Sequence, residues 1–219
     1  MKSKYAVNDS FVYISDNMSG KMAGIPSISS ACFCNALCKA RAAKDNMICK
    51  HCFAMKTTAR YKALAEHLKD NYGLLTSRVL SDDELPKFSY AVGMVRIESF
   101  GDIANTVQAM NYLNIARINP HVRFGWWTKN PGFISAALKA LGIEKPENVR
   151  VIYSSPIVND SVKYENVVKA FPFVDSVFTV YDKKTVKSQN IEINCGARSC
   201  AACGRCYFGN EHDIREQLK

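Results

Sequence analysis

The sequence predicts an α/β fold: a mostly parallel sheet in a partial or complete (β/α) barrel-like arrangement, one domain over residues 1–219, with a cysteine-rich loop at 193–208 as part of it. Three observations carry this expectation. Short apolar stretches of strand character alternate with stretches of helical period through most of the chain. No linker, internal repeat or low-complexity tract divides it. The nine cysteines fall into two groups, with none between Cys52 and Cys195, so two local devices are grafted onto one scaffold. Strands that alternate with helices make βα units, whose crossovers force neighbouring strands parallel.

Taken in order, "FVYIS" and "AGIPSIS" are short strand candidates ahead of the first cysteines. After Cys52, the residues Phe53, Tyr61, Leu64, Leu68 and Tyr72 recur at helical spacing, and Gly73 is placed to end that helix. "FSYAVGMVRIES" (88–99) reads as a strand, and "DIANTVQAMNYLNIARI" as a helix with Ile103, Val107, Met110 and Leu113 on one face. "VRFGWWT" (122–128) is a strand whose adjacent Trp126 and Trp127 point to opposite faces, so one of them can line a pocket. "PGFISAALKALG" is a helix with Pro131 in its first turn and Asn130 as the cap. "NVRVIYSS" (148–155), "SVKYENVVKAF" and "VDSVFTVYD" (174–182) continue the alternation as strand, helix and strand.

Polar residues gather where these strands end: 98–102, 128–130, 154–155 and Asp182. In α/β folds that edge is where ligands bind. Glu98 or Asp102 suits a ligand amino group or hydroxyl, and Lys129 suits an anion. The plainer readings are a glycine turn with Asp102 starting a helix, and a solvated lysine.

The C-terminal cysteines Cys195, Cys200, Cys203 and Cys206 have the spacing C-x4-C-x2-C-x2-C. Each C-x2-C step lets two sulfurs converge, and Gly196 and Gly204 let the loop wrap. Four thiolates from one compact loop match the four corners of a [4Fe–4S] cluster. A single zinc also takes four thiolates, although its cysteines more often come from two separated knuckles. Arg198 and Arg205, between the cysteines, are placed to offset a cluster's charge. In the first group, Cys49 and Cys52 lie just before a helix N-terminus, which favours thiolate and hence metal binding. Cys38 is the preferred third ligand, with Cys32 and Cys34 as alternatives. Three ligands on a cubane leave one iron open to a substrate. One cluster or two is therefore expected, including a single one shared by both groups. The four histidines read as ordinary residues.

Composition sets the remaining bounds. Hydrophobic residues at 47% and charged residues at 22% are globular values and leave room for a sizeable core. The basic start is followed by no sustained apolar run, so the expectation is a cytoplasmic protein with no membrane span. In that compartment thiols stay reduced, which again points to metal ligands. The formal charge of +9 comes from scattered lysines and arginines. It suits a small anionic or nucleotide ligand, nucleic acid, or an internal anionic cofactor.

Several stretches together resemble the phage gene product 88 family: "SGKMAGIPSIS", "CKHCFA", "RIESFGDI", "WWTKNP" and "CGARSCAACGRCY". They are spread over most of the chain. The resemblance implies cluster binding, and a host-cytoplasmic setting for a phage-encoded chain. A more distant resemblance is to radical S-adenosylmethionine enzymes. Cys38, Cys49 and Cys52 would then match that superfamily's cluster loop, and Gly101–Asp102 its acidic motif for the methionine amino group. The loop departs from it, with C-x10-C-x2-C in place of C-x3-C-x2-C. The expected function is an iron–sulfur protein doing redox or radical chemistry on a small molecule or nucleotide, with Glu98, Asp102 and Lys129 as its catalytic candidates. The competing expectation is a non-enzymatic zinc or iron–sulfur protein that binds nucleic acid.

Overall fold

The computed structural model describes residues 5–17 and 19–218. Seven strands form one sheet in chain order: β1 (Ile14–Ser15), β2 (Ser27–Ile28), β3 (Met94–Ile97), β4 (Arg123–Thr128), β5 (Val149–Val158), β6 (Ser176–Tyr181) and β7 (Asp213–Gln217). β1 pairs antiparallel with β2, and every later pairing is parallel. Each strand lies beside its predecessor, so the sheet is wound in one direction. It is open: among the described residues no pairing joins β7 to β1 or β2, and a closed barrel is not observed.

The helices are α1 (Ala36–Ala42), α2 (Phe53–Arg60), α3 (Lys62–Ser77), α4 (Thr106–Ile118), α5 (Pro131–Leu141), α6 (Tyr164–Ala170), α7 (Lys183–Ser188), α8 (Cys200–Cys203) and α9 (Arg205–Phe208), with a 3-10 turn at Ile48–His51. Strand alternation sorts the side chains. Val95, Ile97, Phe124, Trp126, Val149, Val151 and Val177 enter the main core with Tyr112, Leu113 and Ile134 of the helices. Burial of this apolar surface, at roughly 25 cal/mol per Å², is the main stabilising term. Arg96, Gly125 and Trp127 alternate with those core residues and so face the other way. There the C-terminal segment covers the sheet. The ring of Tyr207 occupies the place a side chain at Gly125 would need, 2.8 Å from an ideal Cβ.

Several boundaries differ from the sequence reading. The strand expected over 88–99 is only Met94–Ile97, because a turn from Ser89 to Val92 and an antiparallel bridge from Phe88 to Ala6 take up its first half. The helix after Cys52 breaks at the extended Tyr61 and runs through Gly73 to Ser77. Of its expected face only Leu68 is buried, while Phe53 and Tyr61 are exposed and Ala65, Asn71 and Leu75 face inward. The helix expected from Asp102 starts at Thr106, capped by Asn105, whose side chain accepts from the Gln108 amide. Val107 and Met110 are only partly buried, and Gln108, Asn111 and Tyr112 take the buried positions. Asn130 makes no side-chain cap to α5; its amide donates to the Ile103 carbonyl and its oxygen accepts from Arg41. β7 was not legible as a strand. No helix is long and apolar enough to cross a membrane, among the described residues.

Candidate metal centres

Cys195, Cys200, Cys203 and Cys206 all line one cavity against the sheet. It measures about 470 Å³ including the space open to solvent. The chain reaches this shape in two tight steps. Ser199 caps α8 by accepting from the Ala202 amide, and Gly204, at φ 63°, turns the chain from α8 into α9. That left-handed turn favours glycine. The segment is fastened on both sides. The Cys200 amide donates to the Lys21 carbonyl at 2.6 Å, and the Cys195 amide to the Arg215 carbonyl at 2.9 Å. Burial pushes the Cys195 and Cys200 thiols up, and the Cys206 thiol to about 12. Arg96 pulls Cys200 and Cys206 back toward thiolate, and Lys21 does so for Cys195 and Cys200. A metal binding here would displace those protons.

Three cations line this cavity. Lys21 pairs with Glu216 at 2.7 Å, and Arg205 pairs with Glu211 at 2.9 Å. Arg96 makes no ion pair among the described residues, and its Nε is buried with no hydrogen-bond partner. Its guanidinium carbon sits 3.2 Å from the Trp127 ring centroid. A cation–π contact is worth up to about 2 kcal/mol, while a charge taken out of water costs several. Burial lowers the Arg96 pKa, and Tyr207, Cys206, Cys200 and Glu98 act to restore it.

The first cysteine group sits beyond the strand ends. Cys49 lies in the 3-10 turn, and Cys52 precedes α2. Cys32 and Cys52 share a hydrogen bond that draws the Cys52 thiol down to about 6; the Met55 and Ala54 amides help, and burial opposes them. Cys32, fully buried and 3.3 Å from the Met55 sulfur, keeps its proton and is driven up by the same bond. Burial pushes Cys38 up, and the carboxylates of Asp102 and Glu98 add to this. Cys49 is raised by burial against the pull of Lys129 and Arg41. Thus Cys38, Cys49 and Cys52 share one electrostatic neighbourhood, with Lys129 acting on all three. Cys34 is not among the strongest influences on any of them. Among the described residues, no three His, Cys, Asp or Glu side chains meet closely enough to hold a single metal ion.

The acidic candidates are tied internally. Asp102, 3% exposed, accepts from the Thr128 hydroxyl at 2.7 Å and from the amides of Ile103 and Lys129 at 2.9 and 3.0 Å. Arg41 stands 3.6 Å from its other side. Asp102 therefore fixes the backbone of Lys129 and the guanidinium of Arg41, the two cations that face Cys49. Arg41 still carries one buried nitrogen without a hydrogen bond. Glu98 has a positive φ of 57° and takes four hydrogen bonds: two from Ser30, one from Gln108 and one from Tyr112 at 2.5 Å. Burial raises it to about 7. Gly101 packs so closely that a Cβ would stand 2.7 Å from the Ser30 carbonyl and from the Glu98 carboxylate.

Sequence reasoning named the thiols and Lys129. It missed Arg41, Arg96 and Lys21. A signal for Arg96 was present: it is the one charged residue in the strand "MVRI", so it had to face away from the core its neighbours enter. Arg198 lies in the exposed loop and is not part of the cavity. The two sites meet at the end of β4: Trp127 lines the C-terminal cavity, and Lys129, just past the strand, faces the first group.

A family model described as gene product 88 matches residues 5–212. No curated protein and no solved structure gives a significant match.

Proposed function

We propose that this chain, which belongs to the gene product 88 family, is an iron–sulfur protein with two unlike thiolate sites. The observation that carries the reading is that all four cysteines of one continuous loop line a single cavity. The donor set fits: four sulfurs, the cations Lys21, Arg96 and Arg205 lining the same cavity, and aromatic walls from Trp127 and Tyr207. Cys195, Cys200, Cys203 and Cys206 would hold one [4Fe–4S] cluster, and Cys38, Cys49 and Cys52 another with an open corner. Such groups supply one-electron transfer when bound.

In this reading the chain's own residues give the first site its selectivity. Lys129 and Arg41, held by Asp102, present positive charge beside Cys49, which suits a ligand bearing a carboxylate or phosphate. The function is then redox or radical chemistry on a small molecule or nucleotide. S-adenosylmethionine is the specific ligand that the more distant resemblance implies. Gly101 and Asp102 would act on it indirectly, by shaping the turn that places Lys129. Glu98 would hold the turn before them.

Anaerobic purification with iron, acid-labile sulfide and zinc analysis tests the proposal. Brown protein whose broad visible absorption bleaches with dithionite is expected. Colourless protein with stoichiometric zinc and no sulfide would replace it with a structural metal site, and binding of nucleic acid to the basic surface would then become the leading function. For the ligand, S-adenosylmethionine should raise the melting temperature of loaded protein, because it binds only the folded form. Reduced protein should release deoxyadenosine from it. Neither effect in loaded, reduced protein would assign the open corner to another anion.

A further inference from the structure

We propose that Arg96 is the built-in counter-cation of the group held by Cys195, Cys200, Cys203 and Cys206, and that it fixes the potential at which that group takes up an electron. This rests on the iron–sulfur reading above. Of the three cations lining the cavity, Lys21 and Arg205 are already neutralised by Glu216 and Glu211. Arg96 acts on Cys200 and Cys206 and makes no ion pair among the described residues. The acid that acts on it is Glu98, two residues along β3 and itself bound by Ser30, Gln108 and Tyr112. The Arg96 Nε is buried and unbonded, with an aromatic ring as its support. A buried charge persists only when something of opposite sign comes to it. Thiolates around a cluster are that partner, since the assembly is a net anion.

Reduction adds one more negative charge and breaks no bond. The electron comes from an external one-electron donor, and the four Fe–S(Cys) bonds stay in place. A fixed cation beside the sulfurs favours the reduced form, because attraction between opposite charges strengthens as the site is shielded from water. Its position is set by the sheet: Arg96 stands in register with Gly125 of β4, and Trp127 lies two residues along that strand. The guanidinium lies there against the Trp127 ring.

The test is potentiometric titration of anaerobically reconstituted full-length protein with dithionite, read by visible absorption and electron paramagnetic resonance. The Cys49→Ser background isolates the C-terminal group. Arg96→Met should shift the midpoint to a more negative potential, and Arg96→Lys should retain most of the wild-type value. Arg123→Gln, an exposed arginine at the start of β4, should not move it. Arg96→His gives a switchable charge. Its midpoint should rise between pH 8 and pH 6 by more than the wild type's, and this comparison decides the matter if the Met variant does not fold. Loaded protein with an unmoved midpoint in Arg96→Met, or with no excess pH dependence in Arg96→His, overturns the role of Arg96 and leaves the cluster reading standing. Protein without iron and sulfide overturns both.

Discussion

Glu98 shows how one residue at a strand end combines strain, burial and charge. A non-glycine residue at φ 57° is held there only by its surroundings. The four donors from Ser30, Gln108 and Tyr112 provide that hold. Those donors favour the carboxylate, yet burial outweighs them and lifts the group from an ordinary 4.5 to about 7. A raised acid stabilises the fold when protonated. Its contribution is fully present below pH 4.5, is lost as pH rises toward 7, and is constant above that. The gap corresponds to roughly 3 kcal/mol, at about 1.4 kcal/mol per tenfold change in proton activity. Glu98→Gln mimics the protonated form and loses only the weak bond from the Ser30 amide, 3.2 Å long. Urea unfolding of both proteins in the same metal state, at pH 5 and pH 8, should show the variant gaining on the wild type by that order as pH rises. Parallel profiles would place the proton elsewhere. Glu98 was legible as a polar residue at a strand end. Its three partners were not, because they come from Ser30, two residues past β2, and from α4, and no local pattern links those positions.

At the scale of elements, the two cysteine sites rest on different supports. α8 and α9 are four residues each, far too short to hold themselves together. Among residues 193–209 only Tyr207 is buried. Cys49 is followed instead by α2 and α3, which bury Ala54, Thr58, Leu68 and Leu75. Metal binding should therefore hold the C-terminal segment in place, while the first site borrows an element that stands without it. Cys203→Ser should remove about half of the iron and lower the melting temperature. Cys49→Ser should remove a different half and leave the melting temperature nearer the wild type. Loss of all iron from either folded variant would show one cluster shared between the groups. Spacing made the thiols legible, because C-x2-C is a local constraint. The break at the extended Tyr61 was not, since neither glycine nor proline marks it.

The whole molecule is a sheet wound in one direction, with its core on one face and a cysteine-bearing segment on the other. The winding was readable because the β3–β6 strands alternate in sequence with helices. β7 was hidden: "DIREQ" buries only Ile214, and as an edge strand it pairs with β6 alone. Edge strands take their order from backbone bonds, which leave little trace in side-chain pattern. This placement makes the last segment the part most dependent on the metal. Residues 193–209 join β6 and α7 to the edge strand, and beyond Tyr207 they contribute little apolar burial. Opening them exposes little core, so in metal-free protein they should open locally while the rest of the sheet persists. Arg198 is exposed in the loop between Cys195 and Cys200 and offers a tryptic site within that segment. Limited trypsin digestion, followed by mass spectrometry, should yield the fragment beginning at Ser199 far faster from chelated than from loaded protein. In Cys49→Ser protein, which keeps only the C-terminal group, cleavage at the exposed Lys44, in the loop after α1, should change little on chelation while cleavage at Arg198 rises. Equal rates at Arg198 in both states would mean that sheet pairing and Tyr207 order the segment without help, and that the metal there supplies chemistry without supporting the fold.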